Sequence, residues 1–246
     1  MLFRRSFGAC LDLFSEKGYN NTIISNTVIG DIYFYLSYRK GVFIISVKDH
    51  SLDHKIIDAA RQEFLACGYS KASLHKIADR AGITTGALYT RYKNKDALFS
   101  SLIASVFSAM EMHSEEICQL YNHALKTREI QDFLAAIRLE EAVYLDLLFE
   151  HYEACVLFFC KSMGSSAERM LTAAMQKKAE DTVGFLRTVS KKDVNLDGVE
   201  LILSEQFSFY RKILEKGYTK EQASCCLETI RNFLEAGWQD LFKRIL

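Results

Sequence analysis

No proline occurs anywhere in the 246 residues. A proline ring removes a backbone donor and clashes with the preceding turn, so it ends or kinks a helix, and a chain without it meets no such interruption. Only 12 glycines accompany that absence. Collagen-like, linker-rich and sandwich-type designs are disfavoured on this ground, and long helices are favoured. The predicted fold class is all-α. Apolar residues make up 49% of the chain, enough for a sizeable core and too many for disorder over most of its length.

Lysine plus arginine and aspartate plus glutamate each number 31, so the whole-chain charge favours no polyanionic partner. The distribution is uneven. The first hundred residues hold 14 basic and 9 acidic side chains, which leaves 17 and 22 for the remainder. A basic front joined to an acidic back points to nucleic acid at the front. The seven cysteines follow no framework spacing, and Cys225 and Cys226 are neighbours that cannot pair within a helix, which fits thiols kept reduced in a cytosol. No apolar run reaches the roughly 18 residues of a membrane span, and the opening MLFRRSFGACLDLF lacks a small-residue cleavage site. A cytoplasmic protein without membrane contact is expected.

Helix punctuation is densest from Ser51 to Tyr92. Ser51 can cap a helix carrying Ile56, Ile57, Ala60 and Phe64 at helical spacing. Gly68 stops it, and Tyr69 can fold back on Phe64 as the hydrophobic contact of that stop. Ser73 caps a short helix that turns Leu74, Ile77, Ala78 and Ala81 inward and ends at Gly82; Thr84 or Thr85 caps another through Leu88 and Tyr92, and Asn94 caps the next. Two short helices about a tight Ala81-Gly82-Ile83 turn make a helix-turn-helix pattern. Thr84, Thr85, Ala87, Thr90 and Arg91 are free of core duty, and such small or polar side chains let a helix enter a major groove closely.

The stretch HKIIDAARQEFLACGYSKASLHKIADRAGITTGALYTRYKNKDALFSSLI resembles the DNA-binding region of the TetR/AcrR transcriptional regulators. Ala60, Phe64, Gly68-Tyr69, Ile77-Ala78, Ala81-Gly82-Ile83, Gly86, Leu88-Tyr89, Tyr92, Lys95 and Leu98 carry the likeness. The resemblance implies an all-helical homodimer with an N-terminal DNA-binding unit and a larger C-terminal domain for ligand and dimer contacts. On that reading residues 51–97 form the DNA-binding unit and 98–246 the ligand-binding and dimerisation domain. Its partners are double-stranded operator DNA, a small apolar effector and a second copy, with no cofactor. Thr84, Thr85, Gly86, Ala87, Tyr89, Thr90 and Arg91, with Lys95 on the next helix, form the DNA-reading set: hydroxyls meet base edges and phosphates, and Gly86 permits close backbone approach. Lys71 and Ser73 stand where a helix N-terminus can face a phosphate.

Residues 1–50 precede this unit as an extra segment. At an offset of 50, Ala9, Phe14, Gly18 and Tyr19 fall on Ala59, Phe64, Gly68 and Tyr69; at 56, Gly30, Ile32 and Tyr33 fall on Gly86, Leu88 and Tyr89. The segment resembles a degenerate, shortened copy of the same unit. A helix is expected over about Phe3 to Lys17, whereas Thr27 to Val47 reads as helix by resemblance and as hairpin by propensity.

Behind the unit, a stripe from Leu98 through Phe107 and Met110 predicts one connecting helix from Asn94 to about Met112. Helices are expected over about Glu129–Glu150, through Met170 and Phe185, over about Val194–Lys216, and from a capping box at Thr219 and Gln222 onward. The last presents Leu227, Ile230, Leu234 and Trp238, with flanking apolar residues, as a face too wide for one internal neighbour, and a dimer seam is expected there. Phe107, Met110, Tyr144, Tyr152, Phe159, Met170 and Phe185 are candidates to line an effector pocket. His151, Cys155 and Cys160 share loose metal-ligand spacing without a fourth partner, so core packing is preferred and no metal is expected. No phosphate-binding glycine loop, nucleophile elbow or dinucleotide fingerprint occurs, which speaks against an enzyme. The alternatives are a protein-interaction dimer that has lost DNA binding and an all-helical enzyme.

Overall fold

A computed structural model describes residues 50–192 and 194–245. The expectations for Phe3–Lys17, Thr27–Val47 and the degenerate copy lie outside the described residues. Among those described, every regular element is helical. The front comprises α1 (His50–Lys71), α2 (Leu74–Ala81), α3 (Thr85–Arg91) and α4 (Lys95–Leu102). The back comprises α5 (Ala104–Thr127), α6 (Ile130–Glu150), a short α7 (Tyr152–Cys155) running into a π-helical turn (Val156–Cys160), α8 (Ser166–Val189), α9 (Asp197–Ser204), α10 (Gln206–Lys216) and α11 (Lys220–Ile245).

Ser51 lies inside α1 rather than ahead of it. The Gly68 stop takes the form of a kink: Gly68 has φ 72° and ψ 165°, which an L side chain rarely adopts. Past it Tyr69 stacks on Phe64 with ring centroids 6.1 Å apart, and Phe99 of α4 meets both edge-on at 5.0 and 5.2 Å. This aromatic trio locks α1 to α4. It belongs to a core that continues without a break into the back, through Ile103, Phe107, Met110, Phe158 and Phe207. A second cluster at the far end gathers Phe133, Leu186, Trp238 and Phe242.

Two helices expected to be single are divided. The connecting helix breaks at Ile103, between α4 and α5, and the Val194–Lys216 helix breaks at Glu205, between α9 and α10. Neither break has a proline or glycine. Each follows a serine whose hydroxyl donates to the carbonyl three residues back, Ser101 to Leu98 at 2.7 Å and Ser204 to Leu201 at 2.8 Å. Such a bond offers that carbonyl an alternative to the helical ladder. The capping box at the start of α11 forms in both directions: Thr219 N donates to Gln222 Oε1 at 2.9 Å and Gln222 N to Thr219 Oγ1 at 3.3 Å.

Candidate nucleic-acid interface and inner cavity

The short front helices α2, α3 and α4 cannot persist alone, and a side-chain cap defines the start of each. Ser73 Oγ accepts from Lys76 N at 3.4 Å, Thr84 Oγ1 from Ala87 N at 3.1 Å and Asn94 Oδ1 from Ala97 N at 2.8 Å. Gly82, at φ 71° and ψ 32°, closes α2 with its amide against Ala78 and Asp79 carbonyls. Leu88 alone of α3 is fully buried, while Gly86, Tyr89 and Thr90 face outward.

Thr84, Gly86, Tyr89 and Thr90 are exposed, Tyr89 at 51%, and Thr85 and Ala87 are half-buried beside them. A Cβ added at Gly86 would meet nothing nearer than Thr84 Oγ1 at 3.8 Å, so the fold itself does not demand a glycine there. Thr90 Oγ1 donates to the Gly86 carbonyl at 3.0 Å. Three of the expected DNA-reading residues have work inside the unit. Arg91 Nε donates to Asp53 Oδ1 at 2.9 Å, with both side chains less than a third exposed, and so ties α3 to α1. Lys95 Nζ donates to the Ser70 carbonyl at 3.3 Å and lies 4.9 Å above the Tyr69 ring, where burial lowers its pKa. Ser73 caps α2, and its amide donates to Glu63 Oε1 at 3.1 Å. Lys71 beside it is exposed.

Glu63 was invisible to pattern reading because a charged residue inside an apolar stripe has no spacing signature. Its carboxylate is 3% exposed, meets the N-terminal end of α2 and approaches Arg80 Nη1 at 4.0 Å. A buried anion at a helix N-terminus is favoured by the helix dipole, and it fixes α2 on α1.

Asp96 was legible in the sequence only as a first-turn acid of the helix that Asn94 caps, and its partner was not. From the first turn of α4 its Oδ1 accepts from Ser166 N at 2.8 Å and its Oδ2 from Ser166 Oγ at 2.5 Å, so the front unit holds the N-terminus of α8. The loop between the π-helical turn and α8 docks on the front as well. Tyr69 N donates to the Lys161 carbonyl at 2.7 Å, and a Cβ at Gly164 would lie 3.8 Å from both Ser70 and Tyr69.

Residues 56–102 match the family described as bacterial regulatory proteins, tetR family. Over these residues the front unit is similar to the helix-turn-helix domain of that family. Over 58 residues the chain is 40% identical to the HTH-type transcriptional regulator SrpR of Pseudomonas putida, covering 24% of this chain and 27% of that protein. Over 69 residues it is 33% identical to the probable acrEF/envCD operon repressor of Escherichia coli K12, covering 28% and 31%. The chain thus spans less than a third of the length of these two relatives. A TetR family transcriptional regulator from Chloroflexus aurantiacus J-10-FL has a TM-score of 0.47 at 16% identity, over 82% of this chain and 96% of that one, too distant to decide anything about the back.

Behind the TetR-type unit, α6, α8, α10 and α11, with Tyr121 of α5 and Leu203 of α9, line a partly open cavity of about 70 Å³. Of the side chains expected to line a pocket, Tyr144 does so. Phe107, Met110, Phe159 and Met170 are buried in the core that reaches the TetR-type unit, and Phe185 packs beside the far cluster. Tyr152 is 37% exposed beside a shallow surface groove. Inward spacing alone does not separate core from cavity wall. Leu227, Ile230, Leu234 and Trp238, expected at a dimer seam, instead line this cavity, with Leu227 and Trp238 fully buried within the one chain. The broad face of α11 is covered by α6 together with α10, and Trp238 meets Phe133 edge-on at 5.1 Å. The opposite face of α11 carries Phe233 at 79% exposure.

Charged side chains around the cavity are paired. Lys178 Nζ lies 2.6 Å from both oxygens of Glu140, whose Oε2 also accepts from Tyr121 OH at 2.7 Å. At the rim Arg231 Nη1 donates to Glu141 at 2.6 Å, and Arg138 grips Glu235 with two bonds of 2.7 Å. His151, Cys155 and Cys160 do not converge on a shared centre: Cys155 Sγ donates to the Leu147 carbonyl and Cys160 Sγ to that of Arg211. Burial pushes these thiols up to about 12 and about 11, so both stay protonated near neutrality.

Proposed function

We propose that the chain is a ligand-responsive transcriptional regulator, acting as a repressor, that binds a pseudo-palindromic operator as a cytoplasmic homodimer. One observation carries this: within the TetR-type unit, α3 is anchored by Leu88 and presents Thr84, Thr85, Gly86, Tyr89 and Thr90 away from the core. The division is a DNA-binding unit over 51–97 and a ligand-binding and dimerisation part over 98–246. Tyr89 and the threonine hydroxyls meet phosphates and base edges, and Gly86, which the fold leaves free to vary, lets the backbone approach closely. Lys71 and Lys95 add phosphate contacts. Arg91 and Ser73 serve chiefly to hold α3 and α2 in place.

The effector site is the inner cavity, and α8 joins it to the DNA-binding unit. Ser166 is held by Asp96 next to Lys95, and Lys178 on the same helix lines the cavity, about 18 Å away at 1.5 Å per residue. A ligand that prefers a different seat for α8 therefore shifts the population in which α3 is placed for DNA. The dimer seam lies on the outer face of α11, around Phe233. Selection of duplexes from a random pool by the full-length chain tests the reading. The expected product is an inverted repeat whose half-sites lie about one helical turn apart or slightly more; a pool that gains no common sequence contradicts it.

A further inference from the structure

We propose that duplex contact extends past the TetR-type unit onto the back of the molecule, with the Arg169 guanidinium of α8 on a phosphate beside those met by Lys71 and Lys95. This rests on the DNA-binding reading above and adds to it a residue from outside the matched unit. One edge of that unit is formed by Tyr69 to Lys71, at the end of α1, and by the start of α4, where Lys95 Nζ lies 4.9 Å above the Tyr69 ring and donates to the Ser70 carbonyl. The start of α8 sits against the same edge. Tyr69 N donates to the Lys161 carbonyl at 2.7 Å, Gly164 lies against Ser70 and Tyr69, and Asp96, next to Lys95, holds Ser166. Arg169 follows Ser166 by three residues, is exposed where Ala167 and Met170 are buried, and brings its Nη1 to 3.5 Å from the Gly164 carbonyl. Burial and the Asp96 carboxylate raise the Tyr69 pKa and Arg169 opposes them, as a guanidinium close to that side chain does. Cationic side chains from α1, α4 and α8 thus gather about one short stretch of chain.

The acids of this edge are already committed. Asp96 accepts both bonds from Ser166, Glu168 Oε2 accepts from Gly164 N at 2.6 Å, and Glu63 is buried against the Ser73 amide. Lys71, Lys95 and Arg169 form no ion pair among the described residues. Neighbouring cations without carboxylate partners suit a polyanion, and the guanidinium fork matches a phosphate with two parallel bonds. Arg169 has little structural work to do in its place: a bond of 3.5 Å from an exposed side chain is weak, and Glu168 and Asp96 hold the loop without it. The surface that reads bases belongs to α3, so a contact from α8 falls on the duplex backbone and carries no sequence preference. Lys178 of the same helix lines the inner cavity, so a change in the seat of α8 moves this phosphate contact directly.

The full-length chain is titrated by fluorescence anisotropy against a duplex carrying the selected repeat and against one of unrelated sequence, between about 50 and 200 mM salt. Each phosphate contact adds about 0.9 to the slope of log affinity against log salt, so its loss from both protomers of a dimer lowers the slope by about 1.8. Arg169→Ala is expected to show that drop on both duplexes, its deficit against the wild type shrinking by about ten-fold across the range, with the melting temperature unchanged. Arg169→Lys, which keeps the charge, is expected to restore the slope. Lys243→Ala removes the same charge from the exposed end of α11 and is expected to leave the slope as it is. An unchanged slope in Arg169→Ala, an equal drop in Lys243→Ala, a loss confined to the selected duplex, or a melting temperature that falls with affinity overturns the proposal. Tyr89→Ala, measured alongside, separates the two readings. If it weakens binding while Arg169→Ala does not, the α8 contact alone is wrong; if the wild type binds neither duplex, the DNA-binding reading fails and the α8 contact with it.

Discussion

The front and the back of this molecule are both proline-free helical assemblies, yet they are held together by different means. The front unit is organised over short distances: Ser73, Thr84 and Asn94 each start a helix by accepting the amide three residues ahead, and Gly68 and Gly82 each close one. The back is organised across the chain. Glu140 and Lys178 meet from α6 and α8, and Arg138 and Arg231 reach from α6 to α11 and from α11 to α6. A unit whose short helices are fixed by local caps can leave a helix face outward, which suits a surface that reads a partner. A bundle fixed by distant pairs can close around a cavity instead.

Substitutions that act on one means and not the other break or sharpen this contrast. The largest effect is expected from Lys178→Ala. It leaves the Glu140 carboxylate buried without its cation, and a loss of unfolding free energy of about 3 kcal/mol is expected by urea unfolding. The core continues from α1 to α10, so front and back are expected to unfold in one transition; two separated transitions would break the comparison. Next in size is Asp96→Asn, which weakens the charged cap on Ser166 and costs about 1–2 kcal/mol. Its sharper consequence is functional. The variant is expected to retain duplex binding while losing most of the ligand's effect on it, measured by fluorescence anisotropy with and without ligand. Smallest is Arg138→Ala. Its guanidinium is half-exposed, so deleting the pair with Glu235 is expected to change stability by less than about 1 kcal/mol, and by less still at high salt.

The same contrast explains what could be read in advance. Caps, the Gly68 stop and the Phe64–Tyr69 contact involve residues five or fewer apart, and all are legible as spacing. The breaks at Ile103 and Glu205 were not, because a serine hydroxyl at Ser101 or Ser204 looks like any polar helix residue until its carbonyl partner is seen. Tyr144 was legible as inward, along with Phe107, Met110, Phe159 and Met170, but which of them borders empty space depends on how α6, α8, α10 and α11 meet. Leu227 and Trp238 looked like surplus apolar surface on α11 for the same reason. Trp238 is covered by Phe133, about a hundred residues earlier in the chain, and Leu227 packs with Ile213 beside Leu145 and Phe149. Asp53, Glu63 and Asp96 hold elements together across gaps that no periodicity records.

The central claim is that the outward face of α3 binds DNA without contributing to the fold. Tyr89→Ala tests it most directly, because Tyr89 is half-exposed and buries little. Duplex affinity and melting temperature are to be measured on the same preparation of the full-length chain. The account predicts a loss of affinity of about ten-fold, the effect of one lost charge-assisted contact, with the melting temperature unchanged. Unchanged affinity, or a melting temperature that falls together with it, would contradict it.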